Sequence, residues 1–380
     1  MASTLRGGQV AVEAIAPPRL PDGLDTPLLL IDLGVVELNA RRLVEELGSR
    51  GIALRPHAKT HKSVALARLQ VESGAHGITV GNLGEAEVFA EGGLDDLFIA
   101  YPVWAEGPKA PRLRALHEKV GLRLSVGFDS IEGAARLAAA VAGSRRELHV
   151  LLELDPGNRR TGVLPEDAGV VARAARDLGL DVVGLFTHGG HAYAGQDAVA
   201  GAAADEIRSL QLGREGIRAE GMDVEILSAG STPTALGAAA APVTEIRAGT
   251  YIVGDRQQVV LGAVPPDGVA MWVAATVVST AVPGQIVLDA GAKTLTKDVA
   301  PYLIGHGYLP AYPAAEILRV ADYHGMTRIP EGTPAPRLGE VVAIVPNHCC
   351  PVIDLRDSFL AVRGGEVVGA WPVDARGRSG

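Results

Sequence analysis

Leu54-Arg55-Pro56-His57-Ala58-Lys59-Thr60-His61-Lys62 runs from apolar residues into a lysine flanked by histidines. A lysine at the C-terminal end of a buried strand stands where a parallel α/β fold places its chemistry, and desolvation there lowers the amine pKa enough to form a Schiff base. Three surface cations capping a strand would read the same way in isolation, so Lys59 has to be weighed with the rest of the chain. A second concentration is Asn347-His348-Cys349-Cys350-Pro351. On an extended segment His348 and Cys350 share one face, and imidazole with thiolate suits Zn²⁺ or another transition metal rather than Mg²⁺. Two protein ligands leave coordination positions for water and substrate, as catalytic sites do. Cys349 then points the other way and packs inside. As neighbours, the two cysteines make a poor disulfide.

The elements that must position these groups follow a βαβα alternation of short apolar runs and amphipathic, Ala-rich segments. Nine runs read as strands: Leu28 to Leu33, Ala53 to Ala58, Gly77 to Gly81, Asp96 to Tyr101, Arg123 to Phe128, Glu147 to Leu154, Asp181 to Thr187, Asp223 to Ser228 and Glu245 to Thr250. Val35 to Leu47 and Ala198 to Gly213 read as helices. An open sheet of this length would carry a Gly-rich dinucleotide turn at its switch point, and none is found, so a closed eight-stranded barrel is expected. From about Ala263 the pattern becomes period-two and β-branched, in Met271 to Val282, Gln285 to Asp289, Ala315 to Val320, Glu340 to Val345 and Ser358 to Val373. Turn signals separate these runs, as in an antiparallel sheet. Assigning Leu28 to Leu33 to that sheet leaves eight strands for the barrel, the first ending at Lys59 and with Lys62 on the following helix. The expected fold is α/β: a (β/α)8 barrel over 35–262 and a mostly antiparallel β domain over 263–380, joined by the segment 1–34. Residues 1–26, rich in Pro and Gly, are expected to wrap the surface.

Barrel active sites lie at the C-terminal strand ends, and phosphate is commonly held by the loops after the seventh and eighth strands. The seventh ends in Ser228-Ala229-Gly230-Ser231-Thr232-Pro233-Thr234, whose glycine, hydroxyls and amides, opening a short helix, suit a phosphate dianion. The eighth ends in Arg247-Ala248-Gly249-Thr250-Tyr251, the other half of one cup. The fifth gives Glu153 to Gly162, including Arg159 and Arg160, and the sixth gives Thr187-His188-Gly189-Gly190-His191-Ala192-Tyr193. A lysine opposite a phosphate cup, with an arginine and aromatic side chains between, describes a pyridoxal phosphate pocket.

The lysine motif, the Glu153 to Gly162 motif, His188-Gly189-Gly190-His191-Ala192-Tyr193 and Asn347-His348-Cys349-Cys350-Pro351 together resemble the D-threonine aldolase and D-serine dehydratase family, fold-type III pyridoxal phosphate enzymes related to alanine racemase in their barrel. The resemblance runs from about Asp25 to Val373. It implies that Lys59 is the Schiff-base lysine, that Arg160 lies near the cofactor's phenolic oxygen, that His188 contacts the ring and that Tyr193 meets the pyridine nitrogen. Gly230, Ser231, Thr232, Gly249, Thr250 and Tyr251 would bind phosphate, and His348 and Cys350 a divalent metal, zinc or manganese. A weak partner at the pyridine nitrogen makes the ring a weaker electron sink, so the metal must assist bond breaking. Two lyase reactions need the same parts. Retro-aldol cleavage of a D-3-hydroxy amino acid gives glycine and an aldehyde, with His191 or a metal-bound water as base. Dehydration, with Lys59 removing the α proton, gives an oxoacid and ammonia, as in a D-serine or D-3-hydroxyaspartate dehydratase. His-x-Cys resembles the dehydratase arrangement, since some aldolases of the family carry aspartate in place of Cys350; the aldolase is nonetheless the first reading. A racemase would need a second base, and none of Tyr302, Tyr308, Tyr312 and Tyr323 lies in a recognised motif. A non-catalytic cofactor carrier would need neither the β domain nor His-x-Cys.

Composition narrows the partners. In the 380 residues, 44 acidic against 35 basic residues give a net charge of −9, and the cations are scattered, so no nucleic-acid footprint is expected. With 47% hydrophobic and 21% charged residues the chain reads as an ordinary globular protein. No apolar run reaches about 18 residues, and Met1 to Leu20 lacks a signal-peptide pattern, so a cytoplasmic protein free of membrane partners is expected. Relatives of this fold pair as dimers, which implies a homodimer.

Overall fold

A computed structural model describes residues 12–380. The chain divides into two compact units: Arg41–Lys59, Val64–Gly249 and Gly377–Gly380 form one, and the chain up to Ala40, Thr60–Ser63 and Thr250–Arg376 form the other.

In the first unit the continuous apolar runs become parallel strands covered on both faces. These are β2 (Ala53–Leu54), β3 (Ile78–Val80), β4 (Asp96–Pro102), β5 (Arg123–Phe128), β6 (His149–Glu153), β7 (Asp181–Phe186), β8 (Ile226–Ala229) and β9 (Glu245–Ile246), in the order β2-β9-β8-β7-β6-β5-β4-β3. A parallel bridge from His57 to Thr79 joins the two ends of that order. The expected barrel of eight strands is therefore present. Helices between the strands start on polar caps: Asn82 accepts the Glu85 N–H at 3.0 Å and Ser130 accepts the Gly133 N–H at 3.2 Å. Gly184 lies where β7 and β8 approach so closely that a Cβ would stand 2.5 Å from the Ile226 carbonyl oxygen, which excludes every other residue type.

Strand ends are shorter than the apolar runs suggest. The runs expected to reach Ala58 and Thr250 stop as strands at Leu54 and Ile246, because Pro56 has no N–H to donate. Pairing nevertheless continues, since Arg55 N–H bonds Ile246 O and His57 N–H bonds Ala248 O, each at 2.9 Å. The short helix expected after Ser228 is absent, and residues 232–237 form consecutive turns. Inside the barrel, Arg55 is 7% exposed and donates to Asp96 and Glu245, both at 2.7 Å. Burial opposes its charge, but the two carboxylates hold its pKa above the ordinary arginine value.

The second unit is a sheet in the order β12-β13-β11-β10-β1-β15-β16, with β14 paired to β10. Its strands are β1 (Leu28–Asp32), β10 (Met271–Ser279), β11 (Gln285–Leu288), β12 (Glu316–Val320), β13 (Gly325–Arg328), β14 (Val341–Ile344), β15 (Ser358–Arg363) and β16 (Glu366–Pro372). All pairings are antiparallel except that of β1 with β15. The early strand β1 thus belongs here, as the count of eight barrel strands required. β13 was not expected: its Gly-Met-Thr-Arg sequence carries no apolar period, and its place comes from pairing on both sides with β11 and β12. Two further expectations are corrected. Of the segment expected to wrap the surface, residues 1–11 lie outside the described residues, and Val12 and Ile15 are buried with Trp272, Tyr308 and Val345. Lys62 is not on a helix: it adopts φ +49° ahead of the helix Val64–Glu72.

Removing one member of a buried ion-pair network strands the others without compensation. Arg55→Leu is expected to destabilise the protein by about 3–5 kcal/mol, read as a lower urea midpoint for loss of barrel structure.

Candidate active site

Lys59 lies in a single 3-10 turn, Ala58–Thr60, just past the β2 segment, and its side chain is exposed. Its N–H lies 3.4 Å from His57 Nδ1. Lys59, Arg247, His188 and Arg160 all act electrostatically on His57, and Lys59, Arg160, Arg247 and His191 act on His188. The structure therefore brings the predicted Lys59, Arg160, His188 and His191 to one end of the barrel. Desolvation, reinforced by those cations, holds His57 and His188 well below the ordinary histidine value, so both rings are neutral at pH 7.

Arg247 anchors this cationic group. It donates to Ser228 Oγ at 2.6 Å and to the Thr187 carbonyl, and it lies over the Phe186 and Phe98 rings at 5.3 and 5.8 Å. Ser228 in turn donates to Glu245 at 2.6 Å. Glu153, 2% exposed, accepts the Thr161 hydroxyl at 2.9 Å and Arg160 at 3.5 Å. Burial raises the pKa of Glu153. Its Oε2 is buried without a hydrogen-bond partner. The loop carrying Arg160 is shaped by Asp155, which accepts the Gly157 and Arg159 N–H groups at 3.0 and 2.9 Å. An exposed amine among cations and neutral imidazoles fits an anionic aldehyde cofactor such as pyridoxal phosphate.

His191 and Tyr193 share the 3-10 segment Gly190–Ala194. His191 Nε2 bonds Asp205 Oδ2 at 3.1 Å, while its Nδ1 is buried and unpartnered. A carboxylate accepts only from a protonated nitrogen, so Asp205 places a proton on Nε2, and the tautomer it selects for the neutral ring is the one with the lone pair on Nδ1. Gly230, with φ +96°, Ser231 and Thr232 form the buried turn after β8. Gly249 ends the barrel unit, and Thr250 and Tyr251 open the other. The Thr250 hydroxyl is buried with no hydrogen-bond partner, an orphan that an absent anion would satisfy.

The His348 segment departs from expectation. Rather than an extended run, Cys349–Asp354 is a helix with His348 as its N-cap residue, and Pro351 sits in the first turn, where its missing N–H costs nothing. Buried Asp255 accepts the Cys349 N–H at 2.9 Å and fixes the helix start. His348 and Cys350 remain together through that turn: His348 Nδ1 bonds Asp298 Oδ2 at 2.6 Å, and a His348–Cys350 hydrogen bond raises the histidine and lowers the thiol. Burial works against the His348 charge, yet Cys350, Asp255 and Asp298 carry its pKa up to about 10. The Cys349 hydrogen bond, with those of His348 and Thr60, holds Cys350 well below the ordinary thiol range. Cys349 is fully buried, as expected of the residue facing inward, and burial pushes its thiol up. Among the described residues no group of three or more His, Cys, Asp and Glu is arranged to hold a metal. An imidazole oriented by a carboxylate beside a thiolate is nevertheless a donor pair of the zinc type.

Arg247, Glu153 and His57 lie in stretches expected at the site but carry no role of their own in the sequence reading, and Asp205 and Asp298 lie outside those stretches. Arg247 and Glu153 stand at predicted strand ends and could have been found there; Asp205 and Asp298 lie far along the chain in unmarked surroundings. The depressed histidines have a measurable consequence. Below about pH 6.5 the unfolded chain binds protons that the desolvated, half-buried His57 and His188 refuse, so these residues make stability fall with falling pH. Thermal midpoints measured between about pH 7 and 5 should decline less steeply in His57→Gln and His188→Gln than in the wild type.

Comparison with known proteins gives this arrangement its family. The family described as "Alanine racemase, N-terminal domain" matches residues 31–257, and "Putative serine dehydratase domain" matches residues 270–362. A D-threonine aldolase of an Arthrobacter species is 32% identical over 96% of this chain and 97% of its own. A D-threo-3-hydroxyaspartate dehydratase of a Delftia species is 31% identical over 92% and 97%. The crystal structure of D-threonine aldolase from Filomicrobium marinum superposes with a TM-score of 0.87 at 31% identity, covering 97% of this chain and all of that one. A barrel with a lysine among cations at its C-terminal end, an antiparallel sheet unit and these matches agree: the chain belongs to the fold-type III, pyridoxal phosphate-dependent lyase family of the D-threonine aldolases and D-3-hydroxyaspartate dehydratases.

Proposed function

We propose that this protein is a pyridoxal phosphate- and divalent metal-dependent lyase that cleaves D-3-hydroxy amino acids by retro-aldol reaction to glycine and an aldehyde. The observation that carries this reading is His191, whose Nδ1 is buried without a hydrogen-bond partner while Nε2 is held by Asp205, so that the neutral tautomer selected there offers Nδ1 as the base. Bound pyridoxal phosphate supplies an electron sink joined to the substrate nitrogen, and a bound metal supplies Lewis-acid polarisation of the β-hydroxyl. Lys59 would be the amine that holds the cofactor, with Arg160 toward its phenolic oxygen, His188 toward its ring and Tyr193 toward its pyridine nitrogen. Gly230, Ser231, Thr232, Gly249, Thr250 and Tyr251 hold its phosphate. His348 and Cys350 hold the metal, zinc or manganese, and Asp298 orients the imidazole. Thr60, whose hydroxyl lies 3.6 Å from Cys350 Sγ, directly follows Lys59 in the chain. His191 takes the β-hydroxyl proton as the carbon-carbon bond breaks, and neutral His57 and His188 add no charge that would compete for the substrate carboxylate.

A second reading is dehydration to an oxoacid and ammonia, with Lys59 taking the α proton. Cys350 favours it, and a cysteine-to-alanine variant of a D-threo-3-hydroxyaspartate dehydratase, 30% identical to this chain, is described as metal-free. We take 35–262 as the cofactor-binding barrel and 263–380 as the β domain, and the whole as a cytoplasmic homodimer; among the described residues no helix is long and apolar enough to cross a membrane.

D-Threonine incubated with the purified protein, pyridoxal phosphate and Zn²⁺ or Mn²⁺ is expected to yield acetaldehyde and glycine, and EDTA should abolish the yield. Release of an oxoacid and ammonia without aldehyde, from D-threonine or D-serine, would establish the dehydratase instead. Lys59→Ala should remove the absorbance of lysine-bound cofactor and Lys62→Ala should leave it; the opposite pattern sinks the assignment of Lys59.

A further inference from the structure

Glu206 is a glutamate with no exposed surface, on the helix Val199–Ala219 and outside every motif above. Its carboxylate reaches the ends of two strands. Oε1 accepts the Gly230 N–H at 2.8 Å and the Thr187 hydroxyl at 3.1 Å, and Oε2 accepts the Thr234 hydroxyl at 2.6 Å. Gly189 packs against it, and a Cβ there would lie 2.7 Å from Oε2. A buried carboxylate that accepts three hydrogen bonds at strand ends, beside an arginine whose charge it helps to balance, is costly to place for packing alone.

The direction of each hydrogen bond gives it a purpose. A hydroxyl has one hydrogen to donate, and an ionised carboxylate can only accept. Thr234 therefore gives its hydrogen to Glu206 and must act as acceptor elsewhere. It accepts the Ser231 N–H at 2.9 Å, and its oxygen lies 3.0 Å from Ser231 Oγ. With the Thr234 hydrogen committed, that contact is donated by Ser231. The Ser231 hydroxyl can turn away to another acceptor without unravelling the loop, because the Ser231 N–H still holds Thr234 Oγ1. If Glu206 were lost, the Gly230 N–H and the Thr234 hydroxyl would lose their shared acceptor, and the turn would be released at both points.

We propose that Glu206 is a positioning residue for phosphate recognition: by holding the Gly230 N–H and the Thr234 hydroxyl, it fixes the turn that carries Ser231 in the one shape that receives the cofactor's phosphate. This rests on the reading of the turn after β8 as part of the phosphate site, and a comparison of two ligands separates the two claims. The dissociation constants of apoprotein for pyridoxal phosphate and for pyridoxal, which lacks the phosphate, are measured by absorbance titration for the wild type, Glu206→Ala, Thr234→Val and Thr234→Ser. Loss of a charge-assisted contact should weaken pyridoxal phosphate by about tenfold or more in Glu206→Ala and Thr234→Val, with pyridoxal changed by less than about twofold. Thr234→Ser, which keeps the hydroxyl, should restore the wild-type value. Equal weakening of both ligands, or unchanged affinity for pyridoxal phosphate, overturns the role of Glu206 while leaving the cofactor assignment intact. A wild type that binds pyridoxal phosphate no better than pyridoxal overturns the phosphate site itself. Should Glu206→Ala fail to fold, Thr234→Val and Thr234→Ser separate the same outcomes.

Discussion

The barrel end depends on Arg55. Its guanidinium bridges Glu245 and Asp96 inside the barrel, so the segment leading to Lys59 is tied by its side chain to β9 on one flank and to β4 beyond β3 on the other. Backbone bonds from Arg55 to Ile246 and from His57 to Ala248 continue the sheet past Pro56, where a regular ladder cannot run. Such a network contributes less to net stability than the same volume of apolar contacts, but it is directional: a guanidinium satisfied on two sides holds one register. The lysine two residues beyond His57 inherits that register.

Here the protein collects three cations, Lys59, Arg160 and Arg247. Lys59, Arg160 and Arg247 influence both His57 and His188, and the nearby carboxylates are spoken for: Glu245 by Arg55 and Ser228, Glu206 by Thr187, Thr234 and Gly230, and Glu153 in part by Thr161. Keeping the two histidines neutral limits the repulsion. Cations already in place are the condition under which an anionic ligand binds with least reorganisation.

The other unit solves a different problem, that of favouring the thiolate of a half-buried cysteine. Cys350 shares hydrogen bonds with Cys349, His348 and Thr60, and His348 is anchored through Nδ1 to Asp298. Asp255 caps the helix that carries both cysteines. Thiolate and imidazolium stabilise each other as an ion pair, and the same two atoms are a nitrogen and sulfur donor set once the imidazole gives up its proton.

Much of this is legible in the sequence because it rests on local patterns. Continuous β-branched runs alternating with amphipathic segments determine a parallel barrel, a change to period two marks the antiparallel sheet, and strand ends point to Lys59, Arg160, His188 and His191. Other features were decided only by the tertiary structure, since they depend on partners distant in sequence. β13 exists because two strands flank it; Val12 and Ile15 are buried because Trp272 and Tyr308 cover them; Cys349–Asp354 turns helical because Asp255 caps it. The proton on His191 and the hydroxyl direction of Thr234 belong to this second kind. Each is set by a carboxylate, Asp205 or Glu206, whose place on a helix says nothing of which loop it will meet. Residue types and their period determine which groups the chain can bring to a strand end, whereas the state of each group is fixed by what packs against it.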